Sequence, residues 1–144
     1  MEENQELLLN QIIDLHGKVV YTYTTHHKIQ NRLERINKGV KISQIILTAV
    51  STVGFLATVI TNQYLLAWIG GITSALSLGF NLYMKDSNLD DRIKKHKDAA
   101  DELWDVREAY SSLITDFCEL PLSDIRSRRD EIQCTWSEIN KKYP

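Results

Sequence analysis

The chain has 144 residues, with 17 Lys and Arg against 19 Asp and Glu, and a net charge of −2 at pH 7. This length fits one domain, and the near balance of charge excludes the strongly basic surface of a nucleic-acid-binding protein. Cys118 and Cys134 form no zinc pattern, and we interpret them as free thiols in a reducing cytoplasm. The sequence also lacks a Gly-rich phosphate loop and the common hydrolase motifs, so we expect no catalytic residues, no cofactor and no metal.

Residues 1–41 predict a cytoplasmic helical region with one apolar face. Positions that alternate four and three apart stay on one side of a long helix. These positions are Leu8, Ile12, Leu15, Val19, Thr22, His26, Ile29, Leu33, Ile36 and Val40. A β-branched run beside Gly17 lowers helix propensity and favours a break between Gly17 and Tyr23. Adjacent residues such as His26 and His27 point about 100° apart on a helix, so that pair is not expected to chelate a metal.

The 43 residues from Ile42 to Met84 contain no charged residue and no histidine. They divide into apolar runs at 42–60 and 64–84, joined by the turn-like Thr61, Asn62 and Gln63. As helices the runs span about 28 and 31 Å, close to the roughly 30 Å hydrocarbon core of a bilayer. The sequence therefore predicts two membrane spans that form a helical hairpin.

Residues 88–144 predict two further cytoplasmic helices with a break at Pro121. Ser87 or Asn88 is expected to cap the first, which covers residues 90–119, and Ser123 with Asp124 the second. The apolar stripe of the first is Ile93, His96, Ala100, Leu103, Tyr110, Ile114 and Phe117, interrupted by Arg107 and widened by Trp104, Val106 and Leu113. The stripe of the second is Ile125, Arg129, Ile132, Trp136, Ile139 and Tyr143. The predicted fold is an all-α membrane protein: a two-helix transmembrane hairpin flanked by long cytoplasmic helices that form a bundle.

Lysine and arginine residues surround both outer ends of the hairpin, and its turn has no charge. The positive-inside rule then places both termini in the cytoplasm and the turn outside. The flanking cations are Lys28, Arg32, Arg35, Lys38 and Lys41 before the first span and Lys85, Arg92, Lys94, Lys95 and Lys97 after the second.

The spans carry more polar and small residues than anchoring requires. One sector of the first span is a candidate pore lining: Gln44, Thr48, Ser51, Phe55, Thr58 and Asn62. The second span has a polar sector of Gly70, Thr73, Ser74, Ser77 and Asn81 beside a small-residue ladder of Ala67, Gly71, Ala75 and Gly79. Such a ladder lets helices approach closely in lipid. Either the polar groups bond their own helices and the ladder packs one span on the other, or several hairpins assemble around a pore in which Phe55 forms a hydrophobic constriction.

The chain resembles the SLATT family, the SMODS- and SLOG-associating two-transmembrane effector domains of bacterial conflict systems, over roughly residues 20 to 144. The likeness rests on HKIQNRLERINK at 27–38, LTAVSTVG at 47–54, ITSALSLG at 72–79, HKDAADELW at 96–104 and REAYSSL at 107–113. The resemblance implies a pore-forming or membrane-disrupting effector of the bacterial inner membrane, which acts when a sensor detects phage. Sensors of such systems include nucleotidyltransferases that make cyclic oligonucleotides, and some members are associated with reverse transcriptases.

We therefore expect an abortive-infection effector that oligomerises through its cytoplasmic helices and hairpins. Its partners would be the lipid membrane, further copies of itself and a cognate sensor or nucleotide signal, with no direct nucleic acid. Two alternatives remain open at this point. The first is a membrane-anchored scaffold that recruits a partner without conducting, and the second is a soluble helical oligomer in which the hairpin is the buried core.

Overall fold

The computed structural model describes residues 3–61 and 64–143, apart from the side chains of residues 58, 59 and 61. Across these ranges the secondary structure consists of four helices: α1 (Glu3–Thr61), α2 (Tyr64–Ser87), α3 (Leu89–Thr115) and α4 (Leu122–Lys142). The predicted all-α class is confirmed. Contacts divide the chain into unit 1, Met1–Asn31 with Ile93–Pro144, and unit 2, Arg32–Arg92.

Helix α1 is continuous through the segment in which a break was expected. The side-chain hydroxyls of Thr22, Thr24 and Thr25 donate to backbone carbonyls four residues earlier, at 3.0, 2.7 and 2.9 Å. These bonds satisfy the hydroxyls without removing a backbone hydrogen bond of the helix. Val19, in the same segment, is fully buried. Tertiary packing therefore outweighs the low helix propensity of the β-branched run.

Unit 1 is built around one hydrophobic core to which α1, α3 and α4 all contribute. Its buried side chains are Leu8, Ile12, Leu15, Val19, Leu103, Val106, Tyr110, Leu113, Phe117, Ile125 and Ile139. Each large aliphatic side chain removed from water in this way contributes about 1.5–3 kcal/mol. The predicted four-and-three spacing on α1 and α3 places most of these residues correctly, because that spacing keeps a stripe on one helix face.

Polar contacts at the margin of this core join α4 to the other two helices. The Arg129 guanidinium donates to Gln11 Oε1 on α1 at 2.7 Å. The Lys142 ammonium and the Tyr143 hydroxyl both donate to Glu102 Oε1 on α3, at 2.5 and 2.8 Å. The hydrogen bonds from Lys142 and then Tyr143 lower the pKa of the Glu102 carboxyl below its ordinary value. These contacts fix the rotation of α4 about its own axis.

The connection between α3 and α4 is longer than predicted. Helix α3 ends at Thr115 rather than near residue 119, and turns bonded from Phe117 to Ile114 and from Glu119 to Asp116 follow it. Pro121, with φ −61° and ψ 145°, occupies the N-cap position of α4 and makes no side-chain cap. The expected cap by Ser123 and Asp124 is not formed, because the Ser123 hydroxyl donates to the neighbouring Asp124 carboxylate at 3.0 Å.

Candidate membrane hairpin

In unit 2 the second part of α1 packs against α2 along a line that we call the hairpin seam. Its less exposed positions again alternate three and four apart, the arrangement by which two helices interdigitate side chains over a long contact. On α1 they are Leu33, Asn37, Val40, Gln44, Leu47, Ser51, Gly54 and Ala57. On α2 they are Leu66, Gly70, Thr73, Ser77, Phe80, Met84 and Ser87. Small and polar side chains make up most of this line.

Hydrogen bonds cross the hairpin seam at two levels within the apolar runs. The hydroxyls of Ser51 and Ser74 lie 2.6 Å apart, and the Ser51 hydroxyl also lies 3.4 Å from the backbone carbonyl of Gly70. Farther along, the Gln44 amide nitrogen donates to Asn81 Oδ1. These groups thus find their partners inside the hairpin, as polar side chains in a membrane span require.

The backbones of α1 and α2 approach each other closely at Gly54 and Gly70. A Cβ placed on Gly54 would lie 3.7 Å from the Gly70 Cα, and one on Gly70 would lie 3.8 Å from the Ser51 carbonyl oxygen and the Phe55 nitrogen. The two backbones are therefore in near contact, with room for a methyl group and nothing larger. Small size rather than backbone conformation is what these positions require, since neither residue has a positive φ.

A polar cluster joins α1 to the start of α3 at the other end of unit 2. The Asn37 amide donates to Asp90 Oδ1 at 2.6 Å, and the Lys41 ammonium lies 3.3 Å from the same oxygen. Asn88 has a positive φ of 42° and separates α2 from α3, which allows the chain to turn within one residue. Ser87 does not cap α3, because its hydroxyl donates back to the Met84 carbonyl at 3.2 Å. The sequence missed this cluster, in which Asn37 takes the seam position predicted for Ile36.

Asn37→Ala is expected to destabilise the hairpin by about 1 kcal/mol, because it removes the hydrogen bond to Asp90. The figure is at the low end for a bond to a charged group, since the Asp90 side chain is 73% exposed. Reversible unfolding of the full chain in mixed micelles measures the difference. Lys38→Ala, an exposed neighbour on the same helix, is the control; an equal loss of stability in both variants would refute the assignment.

The outer surface of the hairpin is apolar, the reverse of a water-soluble helical pair. Its exposed large side chains on α1 are Ile42, Ile45, Ile46, Val50, Val53, Phe55, Leu56 and Ile60. On α2 they are Tyr64, Leu65, Trp68, Ile69, Ile72, Leu76, Leu78, Leu82 and Tyr83. The segments Glu3–Ala57 and Tyr64–Thr115 each contain a window long and apolar enough to cross a membrane, and only 0% and 11% of those windows is buried. A single chain therefore leaves the hairpin uncovered, and either lipid or further copies of the chain must cover its apolar surface.

The predicted pore-lining sector is divided by this packing. Gln44 and Ser51 contribute to the hairpin seam, whereas Thr48 and Phe55 are exposed, Phe55 with 67% of its surface accessible. The Thr48 hydroxyl donates to its own helix, to the Gln44 carbonyl at 2.8 Å. The Thr58 side chain and Asn62 lie outside the described residues. A single chain therefore brings only part of the sector to the surface.

The small-residue ladder of Ala67, Gly71, Ala75 and Gly79 lies on the exposed surface of α2. A Cβ added to Gly71 or to Gly79 would meet no atom within 4 Å. One of the two interpretations was that the ladder packs one span on the other. Within one chain it does not, and the two spans instead approach each other at Gly54 and Gly70. In a single chain the four small side chains of the ladder therefore form an exposed strip on α2.

A groove of about 720 Å³ lies between α3 and α4 in unit 1. Leu113, Ile132 and Ile139 are among its apolar lining residues. Its charged lining residues are Glu102, Asp105, Glu131, Glu138, Arg128 and Lys142. Carboxylates outnumber cations there, so an anionic ligand such as a nucleotide would meet net repulsion.

A family model described as SMODS and SLOG-associating 2TM effector domain family 4 matches residues 8–144. No curated protein and no solved structure matches the chain. The matched range includes the whole hairpin and the core helices of unit 1. Two transmembrane segments in the family description agree with the two apolar, unburied windows of α1 and α2.

Proposed function

We propose that this chain, which belongs to the SMODS and SLOG-associating 2TM effector domains of bacterial conflict systems, inserts its hairpin into the bacterial inner membrane and assembles with further copies into a pore or membrane-disrupting complex. The observation that carries the proposal is the inverted polarity of the hairpin, which has an apolar outer surface and a polar, hydrogen-bonded seam. The proposal involves no catalysed reaction and no cofactor.

Membrane insertion is supported by the free-energy cost of leaving the apolar outer surface of the hairpin in water. Among the described residues between Ile42 and Tyr83, seventeen large hydrophobic side chains are exposed and would contact water, an apolar patch far larger than soluble monomers carry. Lipid removes that cost, and the hairpin seam keeps Gln44, Ser51 and Asn81 from meeting hydrocarbon without partners. We propose that both termini are cytoplasmic, since lysine and arginine flank the outer ends of the hairpin and the turn has none.

Assembly of several hairpins is supported by the surface that a single hairpin leaves unused. The ladder of Ala67, Gly71, Ala75 and Gly79 is exposed and smooth, which allows a helix of a second copy to approach closely. In the assembled state we assign the pore lining to the predicted sector, with Thr48 and Phe55 at the lumen surface and Gln44 and Ser51 holding each hairpin closed behind them. Phe55 supplies the hydrophobic constriction.

The activating signal is proposed to come from a cognate sensor. The family description associates these domains with SMODS and SLOG. From the resemblance, we propose a nucleotide synthetase, a reverse transcriptase or a nucleotide signal as the upstream component. Direct contact with nucleic acid is not part of the proposal, since the net charge of the chain is −2.

Release of a trapped dye from lipid vesicles tests the pore-forming function. The full chain is expected to release dye, whereas Gly71→Leu and Gly79→Leu should reduce release strongly because the added side chains keep neighbouring hairpins apart. Ala49→Leu is the matched control, a small-to-large change at an exposed position of α1 outside the ladder. Vesicles that bind the wild-type chain and stay sealed would favour the non-conducting scaffold instead.

Phe55→Ala is expected to raise the rate of dye release, because loss of the ring widens and wets the constriction. The oligomeric state in detergent should stay as in the wild type, since Phe55 lies outside both the hairpin seam and the ladder that is proposed to join copies. Leu56→Ala, the exposed neighbour that points about 100° away, is the control. Equal release by the Phe55 variant and the wild type, with normal assembly, would remove Phe55 from the pore.

A further inference from the structure

Two histidines that are 70 residues apart in the chain meet between α1 and α3 inside unit 1. The Nδ1 atoms of His26 and His96 lie 3.0 Å apart. The ring centroids are separated by 5.1 Å and the rings are tilted by 47°. Both side chains are half-buried, so each ring packs in the groove between the helices and keeps contact with solvent.

This arrangement has specific acid–base consequences. Two Nδ1 atoms can share one hydrogen bond only when one nitrogen carries a proton and the other offers a lone pair. Burial, and next the adjacent His96, lower the pKa of His26 from its ordinary value. An uncharged imidazole, with a lone pair on the ligating nitrogen, is the form that binds metals.

We propose that His26 and His96 form a two-histidine binding site for a borderline divalent metal ion of the Zn²⁺ class, which their Nδ1 atoms ligate from α1 and α3. Tetrahedral coordination with Zn–N bonds of about 2.0–2.1 Å places two ligand nitrogens about 3.3–3.4 Å apart. Reaching that separation from the observed 3.0 Å takes an opening of a few tenths of an ångström. Both rings must also rotate by about 35°, because lone pairs that share a hydrogen bond face each other, whereas the lone pairs of two ligands converge on the ion. As the ion enters, the shared proton moves by exchange with solvent to Nε2 of the ring that carried it, so that both imidazoles bind the ion in their neutral form.

The surroundings indicate an exchangeable ion and open coordination positions. Within the part of the chain that the structure describes, no group of three or more His, Cys, Asp and Glu side chains is placed to hold a metal. Water or an external ligand would therefore complete the coordination, at a site that solvent reaches from one side. His27 is directed elsewhere, since its ring stacks on Tyr23 with a centroid distance of 6.0 Å.

A bound ion would link α1 to α3 and stabilise unit 1, because any ligand that prefers the folded state raises its stability. The two helices otherwise meet near this point through Tyr23 and Trp104, whose ring centroids lie 5.6 Å apart. The site does not depend on the proposed membrane function, and its test uses no leakage measurement.

Calorimetric titration of the full chain in detergent with ZnCl₂ tests the site. The protein carries Cys118→Ser and Cys134→Ser, which remove the two exposed thiols, and has no histidine tag. One Zn²⁺ per chain is expected to bind. His26→Gln or His96→Gln should each weaken binding at least about tenfold, since one of two protein ligands is lost. His27→Gln, an exposed neighbouring histidine, should leave the affinity unchanged.

Thermal melting with and without EDTA separates loss of the site from loss of the fold. Zn²⁺ is expected to raise the melting temperature of the wild type and of His27→Gln, and to leave that of His26→Gln unchanged. Far-ultraviolet circular dichroism should show equal helix content in all of them. The proposal is overturned if the wild type binds no Zn²⁺ saturably, or if His27→Gln weakens binding as much as His26→Gln.

Discussion

Gly70→Leu is expected to force the two helices of the hairpin apart, whereas Gly71→Leu should leave them in contact. A Cβ at Gly70 would already lie 3.8 Å from backbone atoms of Ser51 and Phe55, so the further carbons of leucine have no space. A Cβ at Gly71 would meet nothing within 4 Å. Overpacking of this kind costs about 1–3 kcal/mol, enough to lower the closed fraction of a marginal hairpin about tenfold.

Disulfide formation across the hairpin seam measures this difference. Ser51→Cys with Ser74→Cys, in a chain that has Cys118→Ser and Cys134→Ser, should form a bond readily, since the two serine hydroxyls lie 2.6 Å apart. We expect rapid oxidation with Gly71→Leu and slow, incomplete oxidation with Gly70→Leu. Gly70→Ala is the graded control, because one added methyl group makes only ordinary contacts at 3.8–3.9 Å. Equal oxidation of the two leucine variants would contradict the packing described here.

The same pair of variants separates the hairpin from the assembly. Gly71→Leu should preserve the disulfide and still reduce dye release, because the ladder is exposed in one chain and is proposed to contact another. Gly70→Leu should impair both, since an opened hairpin no longer holds the ladder on α2 and the lining sector on α1 in the arrangement that assembly requires. Because Gly71 is exposed, Gly71→Leu tests contacts between copies and not the contact of α1 with α2.

Residue type and the spacing of apolar residues predicted which segments are helical and which helix faces are buried. A run of 43 residues without charge leaves little choice but two apolar helices. The four-and-three spacing indicates a buried helix face whichever way the helix is turned in the fold, because Leu8, Ile12, Leu15 and Val19 all lie on the same side. Helix type and core face are local properties, and a single sequence contains them.

The partner of each face could not be predicted, because it depends on which residues meet across the chain. The small-residue ladder and the Gly70–Thr73–Ser77 face are both suited to close packing by residue type, and in the structure the second of them faces α1. Asn37 replaces Ile36 in the seam because Asp90, 53 residues later, accepts its hydrogen bond. The sequence predicts no metal site at His26 and His27, because adjacent helical residues point apart. The histidine that lies beside His26 in the fold is His96, 70 residues later in the chain.

Val53→Arg combined with Leu76→Arg is expected to abolish stable membrane insertion. Both residues lie on the exposed outer face near the middle of their spans. An arginine near the centre of a membrane helix costs about 2.5–3.5 kcal/mol on insertion scales. The two substitutions together then cost about 5–7 kcal/mol, and neither arginine has a partner in the hairpin seam.

Extraction of bacterial membranes with alkaline carbonate measures this effect. The wild type should remain in the pellet, and the double-arginine variant should move to the supernatant or be degraded. Gln133→Arg with Asn140→Arg adds the same charge at exposed positions of α4 and should stay in the pellet. A soluble oligomer built around the hairpin predicts a different pattern, in which the wild type is already in the supernatant and the outer-face arginines break it into smaller species. Whether the wild-type protein is found in the pellet or in the supernatant therefore decides whether lipid or other protein chains cover the apolar surface.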